Sequence, residues 1–188
     1  MKKLNKYKLF PFIALIILSI AGCKEKVSSP KPIAYFRIDF PEKQYQRYSS
    51  DCQFSFDYPT YAFIIEDSLS PCWMDIYYPY NKATIYLTYK SINNDFNRHM
   101  EDSREFVYKH TVKADAIKET FYENEENNVY GILYDIKGNA ASSLQFFVTD
   151  STNNFLRGAL YFDVAPNKDS LSPVIDYIRE DIIQLFEV

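Results

Sequence analysis

The run "VYGILYDIKGNAASSLQFFVTD", residues 129–150, reads as two strands and a turn. Its apolar and aromatic stretches, 129–136 and 142–149, flank "KGNA", whose Gly138 and Asn139 are residue types that tight reversals favour. The segment is therefore predicted to fold back as an antiparallel hairpin. Working outward, "FLRGALYFDV" (155–164) makes a further strand after a turn at Asp150 to Asn154, and "AIKETFYEN" (116–124) makes one before it. Further upstream, "QFSFDYP" (53–59) alternates Phe54, Phe56 and Tyr58 on one face. "YAFIIED" runs apolar from Tyr61 to Ile65, and "CWMDIYYP" and "ATIYLTYK" are two strands joined by a turn at Pro79 to Lys82.

Two segments change period from two to 3.6. From Asp95 to Val112 the residues Phe96, Met100, Phe106 and Val107 fall at helical spacing, with Asn94 or Asp95 available as the cap. At the C-terminus Ser172 is predicted as N-cap and Pro173 as the first helical residue. Val174, Tyr177, Ile178, Ile182, Leu185 and Phe186 then form an apolar stripe. Strands running together between two helices predict the α+β class: an antiparallel β-sheet with helices packed on it.

Composition agrees with strands. The 188 residues include 17 Tyr and 15 Phe but only 4 Gly, which favours pleated surfaces over glycine-rich catalytic loops. Residues 35–188 are of single-domain length and contain no internal repeat, so one globular domain is expected.

The start of the chain carries an address. Lys2, Lys3, Lys6 and Lys8 precede an apolar run from Leu9 to Ile20, and the small residues Ala21 and Gly22 then lead to Cys23. Charge, length and small residues match an export signal, and the run falls short of the roughly 20 apolar residues that span about 30 Å of hydrocarbon. "LSIAGC" resembles the bacterial lipobox, which implies a signal peptide over 1–22. It further implies a Cys23 thiol carrying diacylglycerol, with fatty chains such as palmitate. A plain signal peptide or a short uncleaved anchor is the alternative. Two or three chains, at about 0.8 kcal/mol per buried CH₂, hold a protein on a membrane durably where one does not. Residues 23–34, containing the polar, proline-bearing "KEKVSSPKP", read as the lipidated terminus and tether. The expected location is the cell envelope, on either membrane.

Four of the 21 basic side chains lie in the leader, which leaves 17 against 25 acids, a net charge of about −8. That balance argues against nucleic acid as a partner and against electrostatic docking on anionic lipid. Membrane attachment then falls to the acyl anchor.

Cys52 and Cys72 are the remaining thiols, each at the beginning of a predicted strand. In an exported chain such a pair more often bridges than stays reduced, and closing a loop of about 20 residues removes roughly 3 kcal/mol of unfolded-state entropy. Two buried reduced thiols acting as small hydrophobes are the alternative.

Catalytic patterns are weak. His99 and His110 stand eleven positions apart on one predicted helix, whereas helical metal pairs use i and i+4. No Gly-x-Ser-x-Gly elbow occurs. Gly131, Gly138 and Gly158 are isolated, so no phosphate-cradling loop forms. "DSTNNF" places Asp150, Thr152 and Asn154 at calcium-loop spacing. It lacks the glycine at position six, and Tyr161 stands where a bidentate carboxylate is needed. No enzyme activity, metal or cofactor is expected. The many tyrosines leave open a sugar-stacking platform.

One strand carries a candidate partner-binding set. In "FLRGALYFDV", Arg157, Ala159, Tyr161 and Asp163 share one face and Leu156, Gly158, Leu160 and Phe162 the other. Arg157 beside small Gly158 is the pattern of a close approach by another backbone or by a partner's carboxylate. An arginine on a solvated face, or one bridging to a neighbour such as Asp163, is the intramolecular alternative.

Together "KPIAYFRIDFPEKQY", "PCWMDIYYP", "IYLTYK", "YKHTVKA", "YGILYDIKGNAASSLQFFVTDS", "FLRGALYF" and "PNKDSLSPVIDYIREDI" resemble the gliding-motility lipoproteins of the GldD type from Bacteroidetes. The resemblance covers nearly the whole chain after Cys23. It implies an envelope lipoprotein required for gliding and linked to type IX protein secretion. Such a protein acts as a non-catalytic assembly or structural component beside other motility or secretion proteins. An envelope ligand- or glycan-binding lipoprotein is the alternative function. "FSFDYP" followed by strands and a closing amphipathic helix also resembles, in pattern only, the PsbP and Mog1 type of α/β/α sandwich.

Overall fold

The computed structural model describes residues 38–49 and 51–187. The expected leader (1–22), the lipidation site Cys23 and the tether (23–34) lie outside the described residues. The elements run β1 (Tyr45–Ser49), β2 (Ser55–Pro59), β3 (Phe63–Glu66), β4 (Met74–Tyr78), β5 (Ala83–Ser91) and α1 (Phe96–Tyr108). A 3₁₀ turn (Lys109–Val112) follows, then β6 (Ala114–Asn124), β7 (Val129–Gly138), β8 (Ser142–Thr149), β9 (Asn154–Phe162) and α2 (Lys168–Glu187). Seven strands form one sheet in the order β3-β4-β5-β9-β8-β7-β6, every neighbour antiparallel, and β1 and β2 form a separate hairpin. The α+β expectation is met.

The 129–150 hairpin sits inside that sheet, paired from Tyr130↔Thr149 to Asp135↔Leu144. Period-two alternation divides its side chains between two cores. Leu133, Leu144, Phe146, Leu156 and Leu160 pack with Val174, Ile178, Ile182, Leu185 and Phe186 of α2. Tyr134, Ile136, Phe147 and Phe155 pack with Val107, Phe96 and Met100 of α1. The helices therefore lie on opposite faces, and the central strands are apolar on both sides, which explains runs as continuous as "SSLQFFVT". At about 1.5–3 kcal/mol for each fully buried large apolar side chain, the α2 stripe is a principal source of stability.

The β1–β2 hairpin shares the α2 side, where Phe56 joins the core. Cys52 and Cys72 are bonded, Cα atoms 5.7 Å apart, which ties the chain entering β2 to the chain entering β4. The segment before β1 is fixed to α2 by a buried carboxylate. Asp181 accepts from Lys43 Nζ at 2.6 Å, from Tyr45 OH at 3.0 Å and from Tyr61 OH at 2.9 Å. Phe40 stacks on Tyr177 with ring centroids 4.3 Å apart.

Three local expectations are corrected. The C-terminal helix begins at Lys168 and not at Pro173, because the cap is Asn167: its side-chain oxygen accepts from the N–H groups of Asp169 and Ser170, both at 3.2 Å. Pro173 then lies inside the helix on its exposed side, where the missing N–H costs one intrahelical bond. Residues 45–49 form a strand that polar "YQRYS" does not announce. Finally, Gly158 makes room within the molecule and not for a partner. It stands opposite Phe146, and a side chain there would strike that ring.

Candidate functional site

Residues directly opposite in an antiparallel pair point to the same side, so register identifies who shares the α1 face. Thr88 faces Arg157, Tyr86 faces Ala159 and Thr84 faces Tyr161, and Phe155 of this series packs in the α1 core. Pairing across β4 and β3 carries the same side through Asp75 and Tyr77 to Ile65 and Phe63. The helix α1 lies against β8 and β9 and does not cover the β3–β5 half. There Phe63 is 60% exposed, Ile65 52%, Tyr86 46% and Trp73 38%. Tyr86 and Tyr161 meet edge to face, centroids 5.7 Å apart.

Arg157 stands at the boundary between the covered and uncovered halves. Its Nη2 donates to Gln145 Oε1 at 2.7 Å, and its Cζ lies 4.6 Å from the centre of the Phe106 ring on α1. Among the described residues no carboxylate lies within ion-pair distance of it. Burial pulls its pKa below the ordinary guanidinium value, and the same guanidinium, after burial, pulls His110 down. The group remains a cation held in place by an uncharged amide.

A cavity of about 180 Å³ opens beside it, between α1 and β5, with Trp73, Lys90, His99, Asp102 and Phe106 in its walls. His99 is 8% exposed. Its Nε2 lies 3.3 Å from Asp95 Oδ2 but outside hydrogen-bond geometry, and neither ring nitrogen has a hydrogen-bond partner. Gln145 Nε2 is likewise buried without one. The Trp73 indole is fixed by its N–H, which donates to Tyr89 O at 3.0 Å. A groove of about 470 Å³ continues from the same Trp73 and Thr88 past Asp75 and Tyr86 toward Ile65.

Of the candidate set, Arg157 and Tyr161 do share this face. Asp163 lies beyond the end of β9, exposed, with its N–H donating to Lys82 O at 2.9 Å, and makes no ion pair with Arg157. The intramolecular bridge to a neighbour is made with Gln145 and not with Asp163. His99 and His110 do not form a pair either, since His110 belongs to the 3₁₀ turn that ends α1. Gln145, Trp73 and Lys90 are site residues that sequence reasoning missed. The available signal was a lone glutamine in the apolar run "SSLQFFVT", two residues from Phe147, which β9 pairs with Arg157.

Other ionisable clusters serve the fold. Asp135 is buried against Arg179, whose Nε donates at 3.1 Å, and Asp181 holds the segment before β1. Asp150 Oδ1 accepts from the N–H groups of Thr152, Asn153 and Asn154, so the calcium-like spacing builds a turn. Among the described residues no group of three His, Cys, Asp or Glu is placed to hold a metal ion, and no helix is long and apolar enough to cross a membrane.

The family profile described as "Gliding motility lipoprotein GldD" matches residues 25–188. No curated protein matches the chain. The chain belongs to the GldD family of gliding motility lipoproteins.

Proposed function

We propose that this member of the GldD family is a lipid-tethered, non-catalytic component of the gliding apparatus, linked to type IX protein secretion. In this reading acylated Cys23 holds the folded domain at a bacterial membrane, and residues 23–34 give it reach. Lateral confinement raises the effective concentration of envelope partners without any new contact. The observation that carries the reading is the uncovered half-face, where Phe63, Ile65, Trp73 and Tyr86 expose large apolar side chains around Asp75, an amphipathic surface of the kind that marks interaction sites. The buried carboxylates Asp135 and Asp181 are occupied by structural cations, which supports a docking role over acid–base chemistry.

A photo-crosslinking residue at Tyr86 in gliding cells tests this, with one at exposed Asp176 on α2 as the reference. Envelope motility or secretion proteins captured from position 86 and not from 176 are expected. Capture from 176 alone, or from neither, overturns the reading. The exposed aromatic rings also favour a second one, a glycan-binding lipoprotein, for which saturable binding of an oligosaccharide to the purified domain is the expected observation.

A further inference from the structure

We infer that the cavity beside Arg157 is a receptor for one carboxylate, the acidic side chain of a protein partner seated on the uncovered face. The inference rests on the docking role proposed above and names the chemistry that this end of the surface selects.

Charge comes first. Arg157 and Lys90 against Asp102 leave the cavity one positive charge, which suits a monoanion and disfavours a dianionic phosphate. Arg157 already gives Nη2 to Gln145 and, among the described residues, has no carboxylate within ion-pair distance. The amide therefore orients the planar guanidinium without neutralising it, which leaves the cation free for a charge-assisted bond. Buried His99, 3.3 Å from Asp95 but without a hydrogen-bond partner at either ring nitrogen, lines the same space and supplies a second polar group.

Size comes second. Small-molecule sites commonly enclose about 300–1,000 Å³, and this cavity has about 180 Å³, which suits a single side chain. It adjoins the groove that leads to Ile65 and Tyr86, where the rest of a partner segment would lie, and the Glu66, Asp67 and Asp75 carboxylates in that groove confine the partner's acidic group to the Arg157 end. Trp73 and Phe106 supply apolar walls, which lower the local dielectric around an ion pair inside.

Trp73 is the chain's single tryptophan and lines the cavity, so its fluorescence reports occupancy directly. Propionate, the side chain of glutamate in isolation, is titrated into the purified domain beside propionamide and inorganic phosphate. A saturable change with propionate, absent with propionamide and weaker with phosphate, is expected. Arg157→Met is expected to weaken propionate at least about tenfold, the loss of a hydrogen bond to a charged group. Lys90→Met, on an exposed residue, is expected to weaken it less and serves if Arg157→Met does not fold. An equal response to propionamide, tighter binding of phosphate, or no response to propionate overturns the inference. Crosslinking from Tyr86 is read independently. Capture there with no propionate response defeats the carboxylate site alone, whereas a propionate response without capture leaves an anion site but defeats the docking role and, with it, a partner side chain as the occupant.

Discussion

Gly158 stands directly across the β8–β9 pair from Phe146, and the phenyl ring occupies the volume that a Gly158 side chain would need. That contact belongs to the α2 face. Arg157, one residue earlier, points to the other face, so adjacent positions of one strand serve the core and the exposed surface separately.

Gly158→Ala is therefore expected to destabilise the domain by about 1–3 kcal/mol through overpacking. Phe146→Leu should recover part of that loss in the double variant, because the two changes share one volume. Urea titration of the four proteins reads this directly. Strict additivity would mean that the ring and the glycine are not coupled.

The Cys52–Cys72 bond closes a 20-residue separation and ties the β1–β2 hairpin to the main sheet. A Cys52→Ser, Cys72→Ser protein should lose roughly 3 kcal/mol by chain entropy. The reduced wild type should show the same loss in urea. Coincident midpoints with and without reductant would show that the hairpin is held by packing alone.

Alkali should unfold the protein through its buried phenols. Burial and the neighbouring Asp181 charge hold Tyr45 and Tyr78 above the ordinary tyrosine value of 10.0, and burial foremost does the same for Tyr61 and Tyr177. Burial, then the Glu119 charge, pushes Tyr134 up to about 12. Each folded-state pKa exceeds its unfolded value, so above pH 10 the unfolded chain binds fewer protons than the folded one. Stability is then complete below that pH and falls as pH rises beyond it. Tyrosinate absorbance should rise in two phases, exposed phenols first, with the second phase coincident with loss of the circular dichroism signal. Titration of all tyrosines in one phase near pH 10, with the fold intact, would contradict this.

The strands were legible where burial imposed a period. Residues 129–150 alternate between two apolar cores, and Phe56 and Tyr58 mark β2. What stayed hidden depended on partners distant in sequence. Strand β1 is polar and is held through Tyr45 and Lys43 by Asp181, more than 130 positions away. The start of α2 was misplaced because Ser-Pro resembles a helix entry, while Asn167 already satisfies the first N–H groups. Arg157 could be singled out on its strand. Its partner Gln145 and the cavity walls from α1 and Trp73 required the register of four strands.

In the proposed function the uncovered β3–β5 half-face is the working surface. Phe63→Lys and Tyr86→Lys together place charge there on exposed side chains, where substitutions usually change stability by less than about 0.5 kcal/mol each. The decisive measurement is the gliding speed of cells carrying this variant, with its abundance and thermal midpoint matched to wild type. Arrested gliding at normal abundance is the expected result. Wild-type speed from the charged face would show that gliding does not use this surface.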